Sequence, residues 1–250
     1  MFSEIYRYRM PVAWQSFSIM LCASVVTIAT IVFPNLQHVF GSYNENTDFM
    51  QRLTIAFQHG FEAKSAVVHL LVDIVLLALV GTYVEKIMGS YLFFLLNLVA
   101  IAQYIFIHAL LGMTGHGGSG LIWAYAPMLF YSLNEGRLLK TRSQFDEMYF
   151  TFRTVLVIMY TIIPLLMSII PIYFDSESPM LQAVFFGNIF HLSATLTGIG
   201  FVVLYREKVR TRMKQFAKKK KFEEDNYDKM SFYFALFYPL LIIIGFFFTR

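Results

Sequence analysis

Apolar residues in this chain gather in long runs rather than in the two-residue alternation of a half-buried strand or the narrow stripe of a surface helix. Seven runs, at about 12–33, 66–84, 91–111, 119–133, 150–172, 183–204 and 231–248, have roughly the length with which a helix crosses a bilayer. The fourth is the shortest. It opens at Ser119, the fifth residue of Gly115-His116-Gly117-Gly118-Ser119-Gly120, so a glycine-rich loop becomes an apolar helix at a serine. A short span lets its first residue lie below the membrane surface, at the floor of a cavity open to water. The first run is long enough to span and lacks an Ala-x-Ala-like exit, so it is expected to stay as an anchor.

Composition agrees with this pattern. Of 250 residues, 57% are hydrophobic and 14% charged, and the mean hydropathy is +0.58. A soluble domain carries charge on about a quarter of its residues, so that class is excluded. The expected fold is an all-α polytopic membrane protein. The single cysteine, Cys22, falls in the first run and reads as a small packing residue; no intrachain disulfide is possible.

The net charge of +4 comes largely from Arg206 to Lys221, between the last two runs, and is not a nucleic-acid footprint. Basic runs beside spans are usually cytosolic and meet anionic lipid headgroups. With a cytoplasmic N-terminus and the C-terminus outside, seventeen of the twenty Lys and Arg residues fall on the cytosolic side. Only Arg52, Lys64 and Arg250 fall outside, whereas the reverse topology would translocate the basic run. A bacterial-type plasma membrane is the expected location. The outer connection 34–65 contains Phe40, Met50, Leu53, Ile55, Phe57 and Phe61, which predicts partial burial at the interface. The short acidic loop 173–179 reads as a movable flap. The expected organisation is a six-helix core over 1–205, a basic cytosolic loop over 206–230, and an additional transmembrane helix over 231–250.

In the expected topology Ser119 enters the fourth span from the outer side and His191 lies about two turns into the sixth from the same side. They share a depth. A serine hydroxyl becomes a nucleophile when a base within hydrogen-bonding reach takes its proton, and a base on another helix requires close backbones. Membrane helices approach closely at small residues four apart. Gly120 and Ala124 form such a pair after Ser119, and Ala194 and Gly198 another after His191. Singly, each feature has a plainer role: Ser119 bonding its own helix backbone, His191 bonding across a bundle. Together they point to a catalytic pair. His69 and Asp73, four apart on one face of the second span, are ionisable residues in an apolar run and therefore functional candidates. Glu85, Arg52 and His59 are expected to have structural roles, Glu85 by bonding backbone groups at a helix end.

These stretches resemble the rhomboid intramembrane serine proteases from about Arg52 to Gly200, with a seventh helix appended to the six-helix core. Gly117-Gly118-Ser119-Gly120 is similar to the family's Gly-x-Ser-Gly, which implies Ser119 as nucleophile. His191 with Ala194 and Gly198 is similar to its sixth-helix pattern, which implies His191 as the base of a Ser-His dyad. Trp123 falls where the family often has a tyrosine packed on that histidine. Phe57-Gln58-His59 and His69-Leu-Leu-Val-Asp73 resemble its loop and second-helix motifs, and Gly81 to Gly89 its Leu-Gly-x-x-Leu-Glu-x-x-x-Gly stretch. The resemblance implies His69, Asp73 and the serine N–H around the oxyanion, with Gly118 in the same first shell. It implies transmembrane proteins as substrates, and no metal or organic cofactor.

Three departures stand out. The family's Trp-Arg pair is Gln51-Arg52 here, and the interval from His59 to His69 is longer. Asp73 replaces an asparagine whose amide donates to the oxyanion. An ionised carboxylate would repel that charge and a protonated one could donate, so a neutral Asp73 is the expectation. Two other readings are open: an inactive relative that binds transmembrane segments, and a metal or proton transporter using His59, His69, Asp73 and His191. The chain lacks a His-Glu-x-x-His motif and the paired broken helices of many transporters.

Overall fold

A computed structural model describes residues 12–40, 49–111, 117–138, 179–217 and 227–248. Among them every regular element is helical and there is no strand. In chain order these are α1 (Trp14–Val32), a 3-10 turn (Pro34–His38), α2 (Phe49–Leu53), α3 (Ala63–Met88), α4 (Ser90–Leu111), α5 (Ser119–Leu138), α6 (Pro179–Ala217), α7 (Tyr227–Ala235) and α8 (Phe237–Phe248). Five described segments are long and apolar enough to cross a membrane: α1, α3, α4, the Gly187–Lys214 part of α6, and Lys229–Phe248 across α7 and α8. The chain is an all-helical, multi-pass membrane protein. The expected span at 150–172, the flap at 173–178 and the lysines at 218–221 lie outside the described residues.

Two elements differ from the expected boundaries. The helix that starts at Ser119 runs to Leu138 rather than 133, with Pro127 inside it, and does not reach the apolarity of the five spans. The helix expected over 183–204 continues to Ala217, so the first twelve residues of the expected loop are helical and present Arg206, Lys208 and Lys214 to solvent. No glycine or proline interrupts the residues from 201 to 217, and Arg210 is held 3.1 Å from Glu135 of α5.

The described residues fall in two compact units. The first, here the terminal unit, holds the described residues of 12–122 and 227–248; the second, the central unit, holds the described residues of 123–217. In the terminal unit, sidedness follows from lipid being as apolar as leucine, so that polar side chains turn inward to find partners. On α1, Phe17, Leu21, Val25, Ile28 and Val32 are exposed along one stripe, while Gln15, Ser16, Ile19, Cys22, Thr27 and Thr30 are buried. On α3, Val68, Leu71 and Val75 face outward, and Ala66, Leu70, Asp73 and Leu76 face inward.

Glu85 organises one end of this unit. Its carboxylate accepts the backbone N–H groups of Gln15 at 3.2 Å and Ser16 at 2.9 Å, which are orphan donors of the first turn of α1. The hydroxyls of Ser16 and of Ser231 on α7 donate to the same carboxylate. The bond is to a helix end, as expected, but to that of another helix. Beside it, Asn97 Nδ2 donates to Tyr238 Oη at 2.7 Å and Tyr238 Oη donates to Gln15 Oε1 at 3.1 Å, so α8 joins a buried network with α1 and α4. Between α3 and α4 the chain turns at Gly89, whose φ of 86° is open to glycine at little cost. Within α3, the hydrogen bonding widens to a π turn over Leu77–Gly81, one to two turns beyond Asp73.

Candidate active site

The segment from Thr54 to Gly60, between α2 and α3, is buried although it is not helical, so its polar groups need partners inside the protein. Thr27 of α1 donates its hydroxyl to the Phe57 carbonyl at 3.2 Å. Gln58 folds back on its own turn, its Oε1 accepting the Gly60 N–H at 3.0 Å. These bonds hold His59 in the interior, only 1% exposed. Its Nδ1 lies 3.2 Å from the Phe57 carbonyl and 3.2 Å from Thr27 Oγ1. Its Nε2 lies 3.0 Å from Asp73 Oδ2. His69, one turn before Asp73 on α3, has its Nε2 3.8 Å from the same oxygen, beyond hydrogen-bonding distance, and its side chain is 36% exposed. The two imidazoles meet edge to face with centroids 5.1 Å apart.

The glycine-rich turn lies directly on this cluster. Gly117 N–H donates to the Ile55 carbonyl at 3.2 Å, and Gly118 N–H donates to His59 Nε2 at 3.2 Å. Gly117 has φ 121°, and a Cβ there would stand 2.7 Å from His69 Cε1. A Cβ on Gly118 would stand 3.4 Å from both the Ala56 carbonyl and Asp73 Oδ2. The backbone therefore approaches the two histidines and the carboxyl as closely as only glycine allows at Gly117. The Gly118 carbonyl accepts the Leu121 N–H at 3.0 Å, which starts α5, and Ser119 stands half-buried as its first residue. Its N–H belongs to the first turn, whose amide groups point out of the helix end. Gly120 faces the ring of Tyr104 on α4, at 3.1 Å from a Cβ placed there.

The other candidates belong to the central unit. Trp123, 3% exposed, stacks on the half-buried His191 with ring centroids 4.9 Å apart and planes 16° from parallel. One turn further along α6, Ala194 is buried; one turn beyond that, a Cβ on Gly198 would fall 2.2 Å from the Ala124 carbonyl and 2.9 Å from Pro127. The small residue at 198 thus sets the distance between α5 and α6 next to Ala124. The carbonyl of His191 accepts the Thr195 hydroxyl at 2.8 Å, which fastens this turn of α6.

The terminal unit therefore gathers Gly117, Gly118, Ser119, Gly120, His69 and Asp73, and the central unit gathers Trp123, Ala124, His191, Ala194 and Gly198. His59, read from the sequence as structural, is the closest neighbour of Asp73 and the acceptor of the turn's amide. Sequence spacing relates it to neither, because a non-helical segment carries it back against α3; the hint was the likeness of Phe57-Gln58-His59 to a loop motif. Among the described residues no group of three or more His, Cys, Asp or Glu side chains is arranged to hold a metal ion. His59 Nε2 is already engaged with both Asp73 and the Gly118 amide.

The fold and this cluster define a polytopic helical membrane protein in which a buried His59–Asp73 pair and the half-exposed His69 lie beneath a glycine turn. Comparisons with protein-family models, with curated proteins and with solved structures each return no match.

Proposed function

We propose that this protein is a rhomboid-type intramembrane serine endopeptidase that hydrolyses peptide bonds in or next to the transmembrane segments of membrane-protein substrates. The observation that carries the reading is the seating of the Ser119 turn: glycine-only backbone at Gly117, an anchored amide at Gly118, and His69 against the same turn, in a chain that crosses the membrane several times. In this reading Ser119 Oγ attacks the scissile carbonyl and His191 takes its proton and passes it to the leaving amine. The Ser119 N–H and the half-exposed His69 stabilise the oxyanion. The stacking of Trp123 on His191 fixes the plane of the imidazole, which a general base needs in order to present one nitrogen. The basic helical end of α6 lies against anionic headgroups on the cytosolic side.

The test is labelling of the purified protein with a serine-directed fluorophosphonate. Wild type is expected to label, and Ser119→Ala and His191→Ala are each expected to lose the label. A wild type that stays unlabelled would replace the protease reading with that of a non-catalytic binder of transmembrane segments. Labelling that survives Ser119→Ala would place the reactive serine elsewhere.

A further inference from the structure

We infer that Asp73 is a carboxylic acid that donates its proton to His59 Nε2, and that this neutral pair positions the Gly118 peptide ahead of Ser119 instead of contacting the reacting atoms. The inference follows from which groups can only donate and which can only accept. The Phe57 carbonyl can only accept, and at 3.2 Å from His59 Nδ1 it is placed to take a hydrogen from that nitrogen. Thr27 Oγ1, at 3.2 Å from Nδ1, fits the same assignment, since its own hydrogen goes to the Phe57 carbonyl. The Gly118 N–H can only donate, and it is directed at Nε2 at 3.2 Å, so Nε2 presents its lone pair.

Asp73 Oδ2 is 3.0 Å from that same nitrogen. If the carboxyl were ionised and His59 neutral, two lone pairs would face each other. If His59 were instead a cation, its Nε2–H would meet the Gly118 N–H. A proton on Oδ2 satisfies all three groups at once, with Nε2 taking a shared pair of donors. Among the described residues, His59, His69 and Tyr104 stand near this carboxyl.

The consequence separates this arrangement from that of an oxyanion donor. The single hydrogen of Asp73 is committed to His59, and a neutral pair does not repel negative charge that develops beside Ser119. The carboxylic acid does for His59 what an amide N–H would do, so asparagine is the conservative replacement and leucine the disruptive one. The functional half of the inference rests on Ser119 being the nucleophile; the protonation half does not.

The experiment is infrared spectroscopy of protein carrying 13C-carboxyl aspartate, purified in a detergent without ester groups, combined with amide hydrogen exchange of the peptide over 117–122. Near neutral pH the wild type should show the carbonyl band of a protonated carboxylic acid, and Asp73→Asn should lack it. Exchange over 117–122 should be unchanged in Asp73→Asn and about tenfold faster in Asp73→Leu, in line with the loss of one buried hydrogen bond. Fluorophosphonate labelling should follow the same order. Wild-type and Asp73→Asn spectra without a difference band would overturn the shared proton. Equal exchange in the leucine variant would overturn the positioning role. A wild type that does not label would count against the protease reading alone, because the band and the exchange rates are read without it.

Discussion

The turn ahead of Ser119 depends most narrowly on Gly117. Its φ of 121° lies where side chains are rarely tolerated, and a methyl group there would stand 2.7 Å from the ring of His69. Gly117→Ala therefore meets two costs together, backbone strain and displacement of His69, on the order of 1–3 kcal/mol each. The expected outcome is fluorophosphonate labelling slowed by about tenfold or more with the helical content intact. Gly200→Ala, at a position with no neighbouring atom within 4 Å among the described residues, should leave labelling unchanged and serves as the control. Equal rates for both variants would show that the turn does not govern the serine. At this scale much of the candidate site was legible. Ser119, His69, Asp73 and His191 stand out because polar groups inside apolar runs need partners. His59 was not legible as a member, since its pairing with Asp73 is made by a fold in the chain that no periodicity records.

At the level of elements, the C-terminal helix is built into the terminal unit rather than laid against it. Its Tyr238 is fully buried and bridges Asn97 of α4 and Gln15 of α1, while Ser231 donates to the Glu85 carboxylate that caps α1. Tyr238 also packs edge-on against Phe57, centroids 6.4 Å apart, two residues before His59. Apolar runs told of a seventh span but not of this, because lipid rewards any apolar helix, and inter-helix bonds come from a few inward polar residues on separate elements. The same blindness explains the end of α6: a basic, non-apolar stretch reads as a loop, yet the absence of glycine and proline lets the helix run on to Ala217. Tyr238→Phe keeps the ring and leaves two buried polar partners short of one bond each. It is expected to lower stability by about 1–3 kcal/mol, read as an earlier transition in unfolding by a denaturing detergent. An unshifted transition would mean that the helix is only attached.

For the molecule as a whole, the direction in which the chain threads the bilayer is proposed from its flanking charge. In the expected seven-span arrangement the Lys and Arg clusters fall on alternate connections, with ten such residues from Arg206 to Lys229 alone, while the connection 34–65 carries only Arg52 and Lys64. Moving the former across a membrane is the costlier choice, so the proposed topology puts the basic end of α6 in the cytosol and Ser119, at the start of α5, on the other side. In the proposed protease this orientation would decide which substrates are reached, since a turn near the outer surface would meet the outer ends of transmembrane segments. Cys22 is buried and is the single cysteine, so Cys22→Ala gives a clean background for accessibility. In intact cells a membrane-impermeant maleimide should modify Asp175→Cys and leave Lys218→Cys unmodified until the membrane is opened. Modification of Lys218→Cys in intact cells would reverse the topology, and with it the side from which Ser119 could meet a substrate.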